Sequence, residues 1–151
     1  MSTLHEIAVT IEHIFISPGR NYFIGRPKDG PGTHPTFDVD QAEARAGLGL
    51  VGDRNYGIAV DSNAQISFVS AEVFAALQAE FDRGDLSPAL MRRNVVLRGA
   101  PLLQLIDRTF SLRFGEGEQS ETIEFLGTEH CAPCEWMEAM LGPGALRFLR
   151  R

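Results

Sequence analysis

Both cysteines of the chain lie within four positions, in the segment His130-Cys131-Ala132-Pro133-Cys134-Glu135-Trp136-Met137. A run that alternates like a strand precedes this segment, and a run with helical spacing follows it. A Cys-x-x-Cys pair is typical of metal binding, of thiol redox chemistry or of a reactive thiolate, and the fold must hold it between a strand and a helix. The structural alternative is a pair of small buried hydrophobic residues.

The composition predicts one globular domain. The chain has 151 residues, of which 44% are hydrophobic and 23% charged, so it can bury a core and is too apolar to be disordered. A formal net charge of -6 argues against nucleic-acid binding over a whole surface, which needs a basic face. We expect a cytoplasmic protein with reduced thiols and no membrane partner, because we find no secretory signal and no apolar run near the ~20 residues of a membrane helix.

The first third of the chain predicts a strand and a long loop. Between Glu6 and Ile16 apolar and polar residues alternate until the pattern shifts by one step, which indicates a bulged strand. The segment from Ser17 to Pro35 is rich in proline and glycine and is therefore a predicted loop. We expect His34, which lies in this loop, to be exposed rather than a ligand.

Three glycines at positions 47, 49 and 52 predict a tight turn between strands, where the backbone approaches another segment closely. They also form the pattern Gly-x-Gly-x-x-Gly, but no predicted strand, helix and strand surround it, which disfavours a dinucleotide site. The polar group Asp53-Arg54-Asn55-Tyr56-Gly57 follows directly. It is either a solvated turn or part of a site at a strand end.

The middle of the chain predicts a strand from Gln65 to Val69 and a helix capped by Ser70. The apolar stripe of this helix is predicted to face the core and consists of Val73, Phe74, Leu77 and Phe81. Ser87-Pro88 begins a second short helical turn, because serine favours the cap position and proline the first helical position.

The tripeptide Arg92-Arg93-Asn94 lies between that turn and a strand that begins at Val95. Guanidinium groups match the geometry of phosphate and carboxylate, so the tripeptide is a candidate anion clamp. A solvated basic turn is the alternative.

The last third of the chain predicts a hairpin and then two helices. The two strands of the hairpin are Thr109 to Phe114 and Thr122 to Leu126, and the two helices are Glu135 to Leu141 and Ala145 to Arg151.

Three kinds of cysteine chemistry can be weighed from the residues. Structural zinc is disfavoured because no second Cys-x-x-Cys pair exists, and haem attachment is excluded because Glu135 stands where a histidine is required. A thioredoxin-like dithiol stays open, since Cys131 and Cys134 precede a helix, but no βαβ pattern surrounds them. The third interpretation is a thiolate that binds a soft metal or accepts sulfane sulfur, with arginines from positions 54, 92 or 93 close to it in space.

The chain resembles MOSC domains, a family named after the C-terminal domain of molybdenum cofactor sulfurase. The resemblance extends from about Gly47 onward and rests on three motifs in the family's order. They are Gly49-Leu50-Val51-Gly52-Asp53-Arg54, the run from Leu86-Ser87-Pro88 to Arg92-Arg93-Asn94-Val95-Val96-Leu97, and Gly127-Thr128 followed by Cys131 to Gly144.

The resemblance implies a mainly β fold, a β-barrel with a few short helices, as a single domain over residues 1–151. It implies a stand-alone, pyridoxal-phosphate-independent module that binds the molybdenum cofactor (molybdopterin) or carries sulfur to or from a partner protein. Cys134 matches the family's characteristic cysteine and would be the reactive residue and metal ligand. The implied cofactor-binding residues are Asp53, Arg54, Arg92, Arg93, Asn94, Thr128 and Cys131.

Two other classes of function stay open from the residues alone. A cytoplasmic Cys-x-x-Cys dithiol-disulfide oxidoreductase would use Cys131 and Cys134 equally. A non-catalytic barrel that binds a partner protein would use neither. Whether the chain is an enzyme is not decided by the sequence, because activity resides in the site rather than in the fold.

Overall fold

The structure is a computed structural model that describes residues 5–58 and 65–151. Its contacts divide the chain into two compact units, one formed by residues 1–100 with 132–151 and the other by residues 101–131. A single domain over the whole chain therefore stays a prediction. No helix among the described residues is long and apolar enough to span a membrane.

The described strands are short and are separated by turns. In chain order they are β1 (Thr10–Ile16), β2 (Phe37–Asp38), β3 (Ala44–Arg45), β4 (Gly49–Leu50), β5 (Phe68–Ser70), β6 (Val95–Arg98), β7 (Thr109–Phe114) and β8 (Glu121–Leu126). The α-helices are α1 (Ala71–Glu80), α2 (Glu135–Leu141) and α3 (Ala145–Leu149).

The main sheet of the first unit has the strand order β2-β1-β6-β5. β1 pairs antiparallel with β2 and β6, and β5 pairs parallel with β6. The register of β1 shifts between Ile11 and His13, so the bulge that the alternation pattern predicted is confirmed. A second, two-stranded sheet joins β3 to β4.

The predicted combination of β-sheet with a few helices is confirmed. The described residues form mixed sheets with a few short helices, and their three separate sheets do not close into a barrel. The mainly β class and the β-barrel, both implied by the resemblance, stay predictions.

Local capping sets the start of α1. The hydroxyl oxygen of Ser70 accepts a hydrogen bond of 3.2 Å from the backbone N–H of Val73, as the sequence predicted. The helix buries Ala71, Phe74 and Leu77, which are three residues apart and so share one face. The prediction that Val73 faces the core is wrong, because this position lies off that face and is 43% exposed.

The core of the first unit lies where α1, α2 and α3 pack together. Its buried residues include Phe74 and Leu77 from α1, and Trp136, Met137, Leu141 and Ala145 from the C-terminal helices. The strand β6 contributes Val96, which is 1% exposed. This packing fixes the segment before α2, and with it Cys134, against the rest of the first unit.

The glycine-rich segment forms the turn between β3 and β4. Gly49 has φ +104°, and a Cβ added there would lie 2.7 Å from the backbone oxygen of Gln65. The predicted close approach of backbone is therefore confirmed at Gly49. The hairpin also differs from the strand-to-helix turn that a dinucleotide site requires.

The second unit contains the predicted hairpin, in which β7 and β8 pair antiparallel from Thr109 opposite Leu126 to Phe114 opposite Glu121. The rings of Phe110 and Phe125 stack across the two strands, with centroids 5.3 Å apart. Such a cross-strand aromatic pair stabilises the hairpin register.

Candidate functional site

A small pocket in the first unit collects three arginine side chains. It is lined by Arg54, Arg92 and Arg93, by the polar residues Ser17, Asn21, Thr36 and Asn94, and by Phe15. No carboxylate is among these lining residues of the described chain. Because three cations line this pocket, it is a candidate site for a small anion.

Arg92 has an unusual backbone conformation at the edge of this pocket. It ends the 3-10 turn Pro88–Met91 with φ 55° and ψ 36°, in the left-handed region. For a residue with a Cβ this conformation costs about 1–2 kcal/mol, and such residues concentrate at functional sites. The turn changes the direction of the chain here, just before β6 begins.

The guanidinium group of Arg92 is fixed by contacts from two segments. Its Nε donates a hydrogen bond of 3.0 Å to Oδ1 of Asn21. Its Cζ lies 4.5 Å from the ring centroid of Tyr22 and 5.2 Å from that of Trp136. Burial, followed by repulsion from Arg54 and Arg93, lowers the pKa of Arg92 to about 10, so the group is still a cation at neutral pH.

Asn94 positions the arginine pair by joining three strands. Its Oδ1 accepts hydrogen bonds from the backbone N–H of Ser67 at 3.1 Å and from the Ser67 hydroxyl at 3.2 Å. Its Nδ2 donates to the backbone oxygen of Phe15 at 3.1 Å. The side chain is therefore used mainly to hold β1, β5 and β6 together beneath the pocket.

Asp53 is buried next to the pocket rather than on its rim, with a side chain that is 1% exposed. Its carboxylate accepts hydrogen bonds from the backbone N–H of Ser17 at 3.1 Å and of Asn55 at 3.2 Å. Nη1 of Arg54 lies 3.9 Å from Oδ1 of Asp53. Asp53 thus orients the start of the loop after β1 and also its own neighbour, Arg54.

Cys134 lies at the position directly before α2, and its sulfur contacts a tyrosine. The Sγ atom is 3.9 Å from the hydroxyl oxygen of Tyr22, within hydrogen-bond range for sulfur. The ring of Tyr22 stacks on Trp136 with centroids 5.4 Å apart. Burial, and then the contact with Cys134, raise the pKa of the Tyr22 phenol, so its proton is retained at neutral pH.

Two side chains, Arg92 and Tyr22, connect the cation pocket to the thiol. Arg92 lines the pocket, and the face of its guanidinium covers the tyrosine whose hydroxyl contacts Cys134. Of the three arginines expected near the thiol, Arg92 is the one whose guanidinium lies over Tyr22, the tyrosine that contacts Cys134. Its role at the thiol stays a prediction.

A family model for the MOSC domain matches residues 52–150. The chain belongs to the MOSC domain family. The matched range includes all three pocket arginines and Cys134, and MOSC domains are linked to the molybdenum cofactor. Neither the curated proteins nor the solved structures gave a significant match.

Two of the residues that the resemblance assigned to the cofactor of this MOSC domain lie in the second unit. Thr128 is half-buried there, and Cys131 is an exposed free thiol. Their roles stay predictions. Within the described chain, no group of three or more His, Cys, Asp or Glu side chains is placed to hold a metal ion. A metal at this site would therefore need ligands besides the protein's own.

Sequence reasoning did not name the residues that contact Arg92, namely Asn21, Tyr22 and Trp136. It also did not name the pocket residues Phe15, Ser17 and Thr36. Asn21 and Tyr22 lie in the loop after β1, where a proline- and glycine-rich sequence shows no periodicity. Trp136 is buried in the core, and its indole N–H donates a hydrogen bond of 2.7 Å to the backbone oxygen of Leu90. A lone tryptophan beside the cysteine pair was the only sequence signal for this cluster.

Proposed function

We propose that this MOSC domain binds the molybdenum cofactor, with Cys134 as the reactive thiolate that ligates the metal or carries sulfur. The observation that carries the proposal is the sharing of Arg92 between the arginine pocket and the ring of Tyr22, which contacts the Cys134 sulfur. An anionic group and a soft metal–sulfur centre could thus be held by one continuous set of side chains.

The charge of the pocket supports the binding of the phosphate of a pterin cofactor. A phosphate ester carries a charge of about -1.5 to -2 at neutral pH and accepts several hydrogen bonds. Arg54, Arg92 and Arg93 supply cations, and the lining of the described pocket contains no carboxylate to repel the phosphate. The repulsion among the arginines, which contributes to the low pKa of Arg92, would be relieved by the bound anion.

The thiol of Cys134 fits the other end of such a cofactor, because thiolate sulfur prefers soft metals and sulfane sulfur. When bound, the cofactor would supply a redox-active metal with sulfur ligands. The chain's own residues would hold the phosphate, orient the thiol and keep Arg92 between them. Asp53 and Asn94 would contribute by fixing the backbone that carries Arg54 and Arg93.

The remaining assignments extend the same proposal. Cys131 and Thr128 would be accessory residues, and a sulfur-donor or sulfur-acceptor protein would be the partner if Cys134 carries sulfur. Cytoplasmic location also belongs to the proposal, because the cytosol keeps thiols reduced and both cysteines are free.

The decisive experiment is to express the protein in a host that makes the cofactor and to measure bound molybdenum and pterin. We expect both in the wild type, loss of molybdenum in Cys134→Ser, and weaker retention of pterin in Arg93→Gln. Arg45→Gln is the matched control, since Arg45 is an exposed arginine that pairs with Glu43 at 2.7 Å and does not line the pocket.

The two cysteine variants separate this proposal from its rivals. The proposal predicts asymmetry, with Cys131→Ser milder than Cys134→Ser. An equal loss of a reversible disulfide in both variants, with no molybdenum bound, would instead identify a dithiol oxidoreductase. Unchanged behaviour of both variants, again without molybdenum, would identify a partner-binding module.

A further inference from the structure

We infer that Thr36 is an anion-binding residue, whose hydroxyl group donates a hydrogen bond to an oxygen of the anion in the arginine pocket. The inference rests on the proposed function of this pocket as a phosphate site and adds a neutral donor to its three arginines. It also defines the ligand more closely, as an oxyanion that presents an unprotonated oxygen to Thr36.

The position of Thr36 is set by strand pairing at the end of β1. The residue directly precedes β2, and β2 pairs with β1 through Phe37 opposite Ile16. On the other side of Thr36, the backbone oxygen of Pro35 accepts a hydrogen bond of 3.0 Å from the hydroxyl of Ser17. The backbone that carries Thr36 is therefore held on both sides of this residue.

The donor and acceptor roles around Thr36 follow from Arg92. A guanidinium group has only donors, so the atom of Asn21 that lies 3.0 Å from Nε of Arg92 is the amide oxygen. The amide nitrogen of Asn21 is then the atom that faces Thr36, and it donates to the hydroxyl oxygen at 2.9 Å. Because Thr36 accepts this hydrogen bond, its own proton is directed to a different acceptor. Thr36 lines the pocket, where an anion oxygen would be that acceptor.

The second hydroxyl group in the lining of the pocket is used differently. Ser17 directs its proton to the backbone oxygens of Pro35 and Gly19. Its hydroxyl therefore stabilises the loop after β1. Of the two hydroxyl groups that line the described pocket, Thr36 is the one whose hydrogen bonds direct its proton to a ligand.

The three side chains Arg92, Asn21 and Thr36 donate in one direction, from the cation toward the pocket. Hydrogen bonds in series polarise one another, so the cation strengthens the Thr36 hydroxyl as a donor. A phosphate ester suits this donor, because its terminal oxygens are strong acceptors. A protonated oxygen in the same place would meet the hydroxyl as one donor meets another.

The test is calorimetric titration of the full chain, without any cofactor, with inorganic phosphate. Thr36→Val removes the hydroxyl and keeps the shape of the side chain, whereas Thr36→Ser keeps the hydroxyl and removes the methyl group. Thr33→Val is the matched control, in an exposed threonine of the same loop that does not line the pocket. Asn21→Ala, alone and combined with Thr36→Val, separates a direct contact from an effect through Asn21.

We expect Thr36→Val to weaken phosphate binding at least about tenfold, because a hydrogen bond to a charged group is lost. Thr36→Ser and Thr33→Val should bind phosphate about as tightly as the wild type. In the Asn21→Ala background, Thr36→Val should again lower the affinity.

Three results would overturn the inference. The first is equal phosphate affinity in Thr36→Val and the wild type, which includes a wild type that binds no phosphate. The second is a Thr36→Ser variant that binds as weakly as Thr36→Val, because the methyl group would then be the part that matters. The third is a Thr36→Val effect that disappears in the Asn21→Ala background.

The outcome is separable from that of the proposed function. Phosphate binding that depends on the Thr36 hydroxyl, in a protein that binds no molybdenum, supports the role of Thr36 and contradicts the cofactor proposal. Bound molybdenum and pterin, with phosphate binding unchanged in Thr36→Val, support the cofactor proposal and contradict the role of Thr36.

Discussion

The Nε of Arg92 donates a hydrogen bond of 3.0 Å to the Oδ1 of Asn21, a residue 71 positions earlier in the chain. Nδ2 of Asn21 in turn donates to the hydroxyl of Thr36 at 2.9 Å. Asn21 thus connects both ends of the loop after β1 to the turn before β6. Because the amide of Asn21 is neutral, it orients the Arg92 guanidinium without neutralising its positive charge.

This arrangement predicts that Asn21→Asp will weaken anion binding and leave the fold intact. The new carboxylate would form an ion pair with Arg92, which adds charge attraction to the existing hydrogen bond. The same negative charge would repel an incoming anion. We expect the affinity for inorganic phosphate, measured by calorimetry, to fall at least about tenfold (~1.4 kcal/mol) with no loss in melting temperature.

The control for added charge is Gln119→Glu, an exposed residue that does not line the pocket. Its phosphate affinity should equal that of the wild type. Equal phosphate affinities in Asn21→Asp and the wild type would contradict an anion site at Arg92.

Replacing Asn94 is predicted to lower the stability of the fold, because this side chain holds backbone segments together. Asn94→Ala would leave the backbone N–H of Ser67 without its acceptor and the backbone oxygen of Phe15 without this donor. Each unsatisfied buried group costs about 1–3 kcal/mol, so we expect a loss of about 2–4 kcal/mol in urea unfolding.

The control is Ser67→Ala, which removes the hydroxyl that donates to Oδ1 of Asn94 and accepts from its backbone N–H. The backbone N–H of Ser67 still donates to Asn94, and the backbone N–H of Asn94 still donates to the oxygen of Ser67. Ser67→Ala should cost only about 1 kcal/mol. If Asn94→Ala unfolded at the same urea concentration as the wild type but lost phosphate binding, Asn94 would be a ligand contact instead of a positioning residue.

The sequence predicted the local features of this fold well, because their signals are local. Ser70 and Ser87 accept backbone hydrogen bonds as helix caps, and α2 extends from Glu135 to Leu141 as the pattern indicated. A cap or a helix depends on residues three or four positions apart, so a single stretch of sequence contains the information.

The sequence predicted the site only in part, because its contacts join distant positions. Arg54, Arg92, Arg93 and Asn94 were named as candidates from their residue types, and they line one pocket. Tyr22 could not be named, since its partner Cys134 lies 112 positions away and nothing in the loop sequence marks it. Asp53 was named as a cofactor-binding residue, and its burial is not visible in a sequence because the N–H groups that surround its carboxylate come from the backbone.

The carboxylate of Glu138 is predicted to make the C-terminal helices sensitive to acid. It accepts hydrogen bonds from the backbone N–H groups of Gly144 at 2.7 Å and Leu146 at 2.9 Å, and these bonds lower its pKa. A lowered pKa in the folded state gives stability that is present above the unfolded-state pKa and is lost as pH falls through the folded-state pKa.

We therefore expect Glu138→Gln to be less stable than the wild type at pH 7 and to lose less stability than it as pH falls from about 5 to 3. Urea unfolding monitored by Trp136 fluorescence measures both. Glu80→Gln, in an exposed residue of α1 whose carboxylate lies 3.7 Å from Arg151, is the control for loss of a surface charge. If Glu138→Gln and the wild type lost the same amount of stability as pH falls, the capping role of Glu138 would be contradicted.

Two glycines of the β3–β4 hairpin are predicted to differ in their tolerance of a methyl group. Both have positive φ, +74° at Gly47 and +104° at Gly49. A Cβ at Gly47 meets nothing within 4 Å, whereas a Cβ at Gly49 meets the backbone oxygen of Gln65 at 2.7 Å. Gly47→Ala should therefore cost about 1 kcal/mol for the left-handed backbone alone, and Gly49→Ala about 2–4 kcal/mol.

Comparison of Gly47→Ala with Gly49→Ala separates the cost of the close contact from the cost of the backbone conformation, because each variant adds the same methyl group to the same hairpin. Chemical denaturation of both variants gives the comparison, and phosphate binding of the folded fraction shows whether the damage reaches Arg54. This arginine follows the hairpin closely, and its backbone N–H donates a hydrogen bond of 2.9 Å to the oxygen of Ser17. Equal stabilities of the two variants would mean that the approach of Gly49 to Gln65 contributes nothing to holding this edge of the pocket.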